Sequence, residues 1–367
     1  MIFEKELILR LSKWLKGEKA NPYMITLRPT WKCNLQCRGC IIPTVQNKKL
    51  HEISTLDFLK IIDEAAKLGV RRIEIVGEGE PLQKPGIYQI MQRIKYHNIR
   101  GTMTTNCTLF TEEKIKSMIE MGFDLIAVSL DGPDAKTHDY IRGVKGTFSK
   151  VIKNLKMFNK YKEKMKKDKP EIMLVPFLNK VNYNLIEEMI ILAKRLKVKS
   201  VHFKPLILNE KSEELKFTDE ELKELSTCAE KAYKTAKEIG VETNVEIFIN
   251  KNVAKNQTDI QNMIKLGKKI EIPFSITCLR PFYHIDISPD GTAFLCHYKL
   301  FENENDKQNV CNTNLKEIWF GEKARKFRNR IKSGEIPKIC KYCCGGNILE
   351  DWALKSQLAN FLSSSNN

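Results

Sequence analysis

The chain has no apolar run approaching the ~20 residues that cross a bilayer, and it opens on the charged, amphipathic stretch Met1-Ile-Phe-Glu-Lys rather than on an apolar leader. These absences predict a cytoplasmic protein with no transmembrane segment. Histidine is scarce, 6 residues in 367, and none lies in the loop that carries the first group of cysteines. A structural zinc site usually joins CxxC to a second CxxC or to regularly spaced histidines, so zinc is not the reading for that loop. Aromatics interleaved with basic residues are also missing, and no nucleic-acid partner is expected. The 11 cysteines are odd in number and clustered at metal-ligand spacing, which indicates a reducing compartment and not a disulfide scaffold.

What is present is basic: 62 Lys and Arg against 45 Asp and Glu, a net charge of +17. A run such as Lys160-Tyr-Lys-Glu-Lys-Met-Lys-Lys-Asp-Lys169 reads as a solvated helix end, and the functional alternative is attraction of an anionic substrate. Strand-like runs at Tyr23–Leu27, Arg72–Val76, Gly101–Thr104, Leu125–Leu130, Glu171–Phe177 and Ser200–Lys204 alternate with amphipathic helices at Thr55–Lys67, Pro85–Tyr96, Thr111–Met121, Phe148–Lys160 and Asn184–Leu196. The pattern amounts to six βα-type units and hence a mainly parallel sheet. A full β/α barrel closes with eight, and its chemistry sits at the C-terminal ends of the strands.

Just after the first strand comes Cys33-Asn-Leu-Gln-Cys37-Arg-Gly-Cys40. Three thiolates can hold a 4Fe–4S cube and leave one iron open to a small molecule, whereas four usually leave the cluster to store or pass electrons. The motif resembles that of the radical S-adenosylmethionine (radical SAM) enzymes. The resemblance implies a partial (β/α)6 TIM-like barrel, and SAM chelating the open iron and cleaved to a 5′-deoxyadenosyl radical. It also implies a reducing electron donor such as flavodoxin or ferredoxin. By the same resemblance Gly79-Glu80-Pro81 binds the SAM amino group, and Thr105 and Asn106, at the end of the third strand, suit its ribose. The stretch Ser129-Leu-Asp131-Gly-Pro-Asp134, with His138, Ile141, Arg142 and Gly143, resembles the peptide- and sulfatase-modifying branch of the family. That places Ser129 and Asp131 in the cofactor site and offers Arg142 to the SAM carboxylate, which a guanidinium fork suits. The chain departs from the family at Gly39, where an aromatic residue is usual.

A second cysteine set lies near the C-terminus. Cys278, the pattern His284-Ile-Asp286-Ile-Ser-Pro-Asp290-Gly291, and Cys296 read as a β-hairpin that brings two thiols to one end. With Cys340 and Cys343, four thiols can converge, on iron or on a structural zinc. The segment resembles the auxiliary-cluster module called SPASM or its shortened twitch form. That resemblance implies one auxiliary 4Fe–4S cluster ligated by Cys278, Cys296, Cys340 and Cys343, with Cys311 and Cys344 as spare thiols. The expected organisation is an N-terminal amphipathic helix (1–20), the barrel (21–208), a helical segment and connector (209–270), the twitch domain (271–350) and a tail (351–367).

The activity first expected is dehydrogenation of a sugar- or cyclitol-type carbinol, with the auxiliary cluster accepting an electron. The alternative is maturation of a peptide or protein, and a non-catalytic iron–sulfur carrier is the reading from another class. Dehydrogenation needs a base. Candidates are His202 and Lys204 after the sixth strand, His284 and Asp286 on the hairpin, and His297 beside a cluster ligand.

Overall fold

The computed structural model describes residues 4–40, 50–205, 212–249, 276, 278–296, 308–334 and 345–364. Helix α1 (Lys5–Leu15) leads to β1 (Met24–Leu27), followed by α2 (Thr55–Lys67), β2 (Arg72–Ile75), α3 (Ile87–Tyr96), β3 (Arg100–Thr105), α4 (Glu112–Glu120) and β4 (Leu125–Val128). Two helices, α5 (Ala135–Arg142) and α6 (Thr147–Lys164), precede β5 (Glu171–Leu174) and β6 (Phe177–Leu178). Then come α7 (Ile186–Arg195), β7 (Ser200–Val201), β8 (Lys204–Pro205), α8 (Asp219–Ile239) and β9 (Glu242–Thr243). The C-terminal part adds β10 (His284–Ile287), β11 (Thr292–Phe294), β12 (Gln308–Asn309), α9 (Leu315–Phe320), α10 (Glu322–Lys332) and α11 (Gly345–Ser364).

One sheet has the order β12-β11-β10-β1-β2-β3-β4-β5-β7-β9, and every pair from β10 to β9 is parallel. This is a partial β/α barrel with a C-terminal extension. A seventh parallel strand, β9, follows the six expected; at two residues it is too short to show any periodicity. The hairpin is continuous with the barrel sheet, because β10 pairs with β1 from Met24↔His284 to Leu27↔Ile287. All four residues of β1 and of β10 are buried, as both faces of a parallel sheet require.

Strand direction decides where the cysteines lie. Cys33, Cys37 and Cys40 follow the C-terminal end of β1. Cys278 precedes β10, which runs with β1, and Cys296 follows β11, which runs against β10, so both come to the N-terminal end. The four residues of β10 span about 13 Å between those ends.

Helix starts match local chemistry. Ser54 and Asp57 form a capping box on α2, and Thr218 and Glu221 form one on α8, where Thr218-Asp219-Glu-Glu predicts it. The apolar face of α1 buries Leu7, Ile8, Leu11 and Trp14, the last with its ring 5.8 Å from Phe282 and 6.3 Å from Trp319. That face packs on the protein core. Residues from 351 on, read from the sequence as a tail, belong to α11 as far as Ser364; Leu354 and Leu358 there are fully buried, and the helix packs against α1 and touches β8. Among the described residues no helix is long and apolar enough to cross a membrane.

Candidate active site

A cavity of ≈ 320 Å³ opens at the C-terminal ends of β1 to β5. Cys33, Cys37 and Cys40 all line it. Among the described residues, no three His, Cys, Asp or Glu side chains converge closely enough to hold a single metal ion. Three thiols on the wall of one cavity give a cluster three protein ligands and leave one iron open. Burial pushes the Cys33 thiol up to about 11, with Cys37, Glu80 and Cys40 adding to the effect. A thiolate there needs a cationic partner, which iron would supply.

The glycine loop after β2 is threaded against this segment. Gly79 N–H donates to Thr30 O (2.9 Å) and Glu80 N–H to Lys32 O (2.8 Å). A Cβ on Gly79 would lie 2.0 Å from Lys32 O, and one on Gly77 would lie 1.5 Å from Gly79 O, so neither position admits a side chain. Glu80 is buried and its carboxylate is occupied by protein donors: Thr105 Oγ1 at 2.6 Å, Asn106 N at 2.7 Å and Leu82 N at 3.2 Å. Burial raises its pKa against those three hydrogen bonds. Glu80 thus ties the glycine loop to the end of β3, and what the loop offers a cofactor is mainly backbone.

At the ends of β3 and β4 the expected residues divide. Asn106, Ser129, Asp131 and Arg142 line the cavity. Thr105 does not, since its hydroxyl is turned onto Glu80, and its neighbour Thr104 lines the wall instead. Asn106 also holds the cysteine loop, donating from Nδ2 to Asn34 Oδ1 at 3.0 Å. Arg142 Nε lies 2.7 Å from Asp131 Oδ2, and Nη1 donates to Cys37 Sγ at 3.7 Å. Its Nη2 is buried and meets no hydrogen-bond partner among the described residues. Burial opposes the Arg142 charge, but Asp131 and Cys37 outweigh it and raise its pKa. A buried guanidinium with an unused donor beside three thiols fits a ligand carboxylate, and the residues present fit a cluster with SAM.

Gly39 has a structural reason. Its φ of +68° is left-handed, and a Cβ would lie 2.8 Å from Ser212 Cβ and 3.3 Å from Leu215 Cδ1. The segment at 212–215 occupies the space an aromatic at 39 would need. Arg38 strengthens this cover, stacking 4.2 Å over the Tyr140 ring and pairing with Glu214 at 2.9 Å.

Sequence reading passes over Arg28, Trp31, Glu78, Phe177 and Asn179, all in the cavity wall. Arg28 leaves a signal, a lone charge closing the apolar run Tyr23-Met-Ile-Thr-Leu. It holds Asp286 through Nε (2.7 Å) and Nη2 (3.0 Å), and Glu78 through Nη1 (3.2 Å). Asp286, a candidate base, is therefore bound to a guanidinium. His284 is fully buried with Nε2 2.8 Å from Thr26 Oγ1. His202 and Lys204 do not line the cavity; burial, then Lys204, lowers the His202 pKa. His297 lies outside the described residues.

At the opposite end of β10, burial raises the Cys278 thiol well above its usual value, with Asp351 and Cys296 contributing. Arg280 lies beside both thiols and pairs with Glu350 at 3.3 Å. Cys340, Cys343 and Cys344 lie outside the described residues. Cys311 is exposed, Cys228 half-buried, and Cys107 fully buried with φ +61°.

A parallel partial barrel with three thiols, a side-chain-free glycine loop and a buried arginine at its C-terminal rim is the frame of a SAM-cleaving iron–sulfur protein. A family model described as the radical SAM superfamily matches residues 27–193, and one described as an iron–sulfur cluster-binding domain, SPASM, matches residues 278–344. The chain carries a radical SAM domain followed by a C-terminal SPASM domain. The first domain implies a 4Fe–4S cluster with SAM, and the second implies auxiliary iron–sulfur binding. The AdoMet-dependent heme synthase of Methanosarcina barkeri is 32% identical over 139 residues, 38% of this chain and 40% of that protein. The PqqA peptide cyclase of Methylocella silvestris is 28% identical over 130 residues, 35% of each. The chain thus spans less than half the length of these curated relatives. Streptococcus suis SuiB, solved with its precursor peptide SuiA, superposes with a TM-score of 0.66 at 18% identity over 88% of this chain and 71% of that one, a likeness of fold.

Proposed function

We propose that this protein is a radical SAM enzyme that oxidises or crosslinks a side chain of a peptide or protein. The observation that carries the two-centre reading is the placement of Cys33, Cys37 and Cys40 at one end of the β1–β10 pair and of Cys278 and Cys296 at the other. A substrate side chain in the cavity would lie beside the first set, with the second about one strand length away. When bound, the first cluster and SAM supply a 5′-deoxyadenosyl radical, and an auxiliary cluster supplies an electron acceptor. Cys33, Cys37 and Cys40 would hold the first. Cys278 and Cys296, with Cys340 and Cys343, would hold one auxiliary cube.

The chain's own groups supply orientation. Arg142, with its unused Nη2, would hold the SAM carboxylate, the backbone of Gly77–Gly79 would serve the amino group, and Ser129 and Asn106 would serve the ribose. Arg28, held by Asp286 and Glu78, joins the hairpin to the cavity wall. The partial match to a peptide cyclase supports a peptide substrate over the sugar or cyclitol first expected from the sequence. A small acidic donor such as flavodoxin or ferredoxin suits the basic chain.

The test is anaerobic reconstitution followed by 5′-deoxyadenosine measurement with peptide pools, and with amino sugars and cyclitols in parallel. Stimulation by peptides is expected, and stimulation by sugars alone would replace this reading with carbinol dehydrogenation. Cys33→Ala, Cys37→Ala and Cys40→Ala combined should lose about four irons and all SAM cleavage. Cys340→Ala with Cys343→Ala should still cleave SAM without forming oxidised product. Roughly four irons plus one zinc in the purified protein would make the second set structural.

A further inference from the structure

Arg142 is not the only residue of α5 directed at Asp131. His138 lies four residues earlier, on the same helix face, and its ring is buried against Phe148, centroids 6.1 Å apart. Its Nδ1 is 3.1 Å from the Asp131 amide nitrogen. An amide N–H only donates, so Nδ1 accepts, and the imidazole is neutral with its proton on Nε2. That Nε2 is buried without a hydrogen-bond partner among the described residues. A residue serving only to fill space would do so better without an unmatched polar atom.

Asp131 is gripped at every polar atom. His138 takes its N–H, Asn182 Nδ2 donates to its carbonyl at 2.8 Å, Phe177 N–H donates to Oδ1 at 2.9 Å, and Arg142 pairs with Oδ2 at 2.7 Å. The next residue, Gly132, has no room for a Cβ, which would lie 2.6 Å from Thr137 Cβ, so the helix sits directly on the turn. The far end of α5 is fixed as well. Arg38 N–H donates to Ile141 O at 2.8 Å, and a Cβ on Gly143 would lie 2.0 Å from Gln36 O. One short helix thereby locks the turn after β4 to the loop of the three cysteines.

We propose that His138 is a positioning residue: by accepting the Asp131 amide hydrogen it sets the turn from which Asp131 aims the Arg142 guanidinium at the carboxylate of SAM. This rests on the reading of Arg142 as the carboxylate's partner. The ligand part it governs is the amino-acid end of SAM, not the nucleoside.

The experiment measures dissociation constants of SAM and of 5′-methylthioadenosine, which lacks the amino-acid carboxylate, on anaerobically reconstituted protein with its iron content checked. The variants are His138→Leu, His138→Asn and Arg142→Met. His138→Leu should weaken SAM about tenfold, the scale of one hydrogen bond, and leave 5′-methylthioadenosine unchanged. His138→Asn, whose amide oxygen can replace Nδ1, should restore SAM binding. Equal weakening of both ligands, unchanged SAM affinity, or no rescue by Asn overturns the proposal. Arg142→Met separates the two layers: selective loss of SAM affinity upholds the carboxylate reading, and no loss overturns that reading and the proposal with it. Selective loss in Arg142→Met alone overturns only the role of His138.

Discussion

Replacing Glu80 should loosen the glycine loop while leaving the iron site loaded. Glu80 is 3% exposed, and its carboxylate accepts from Thr105 Oγ1 at 2.6 Å, Asn106 N at 2.7 Å and Leu82 N at 3.2 Å. Glu80→Ala leaves two buried backbone N–H groups without their acceptor, while the Thr105 hydroxyl can rotate. At about 1–3 kcal/mol for each orphaned amide, the loss should be about 2–6 kcal/mol. Glu80→Gln keeps one oxygen for Thr105 and Leu82 but turns an NH₂ toward the Asn106 N–H, so about 1–3 kcal/mol should go. Urea unfolding of cluster-free protein under anaerobic conditions reads the stabilities, and iron content and SAM affinity are read after reconstitution. The order expected is wild type, Gln, Ala for both stability and SAM affinity, with iron near normal because no cysteine changes. An Ala variant as stable as wild type would refute the anchoring argument, and unchanged SAM affinity would remove Glu80 from the cofactor site.

Gly39→Tyr, which restores the family's usual aromatic, should destabilise by at least about 1–2 kcal/mol from its left-handed backbone alone, and calorimetry showing a neutral change would mean that the 212–215 segment moves aside. Arg328 is buried between Trp319 (4.0 Å) and Trp14 (4.8 Å), donates to Pro281 O and Trp319 O, and has its pKa pushed down to about 9 by burial. Arg328→Lys cannot span both carbonyls and should cost about 1–3 kcal/mol by urea titration; no change would show that ring stacking alone holds the side chain. Burial, then Arg142, lowers His138 from 6.5 to about 3, so the folded state resists protonation. Its contribution to stability is complete above pH 6.5 and is lost as pH falls toward 3. Over that window His138→Asn should flatten the stability–pH slope by as much as about 1.4 kcal/mol per pH unit, and an unchanged slope would place the titration elsewhere.

The sequence by itself determined the repeated βα order, the parallel sheet and the identity of the three-cysteine loop, because hydrophobic periodicity and ligand spacing are local properties. It also carried the Thr218 capping box and the Ser288–Gly291 turn, each complete within a few residues. Tertiary structure decided what depends on partners far apart in the chain. Glu80 is a conspicuous carboxylate in sequence, but contact with Thr105 and Asn106, some 25 residues on, makes it a loop anchor. Asp286 is a plausible base until Arg28, 258 residues away, closes on it through β10–β1 pairing. Gly39 is only a departure from a family pattern until Ser212 fills the space beside it. Most clearly, the placing of Cys278 and Cys296 at the end of the barrel away from Cys33–Cys40 follows from strand direction. A hairpin reads the same along the chain whether it pairs parallel or antiparallel with its neighbour, and only docking against β1 selects one.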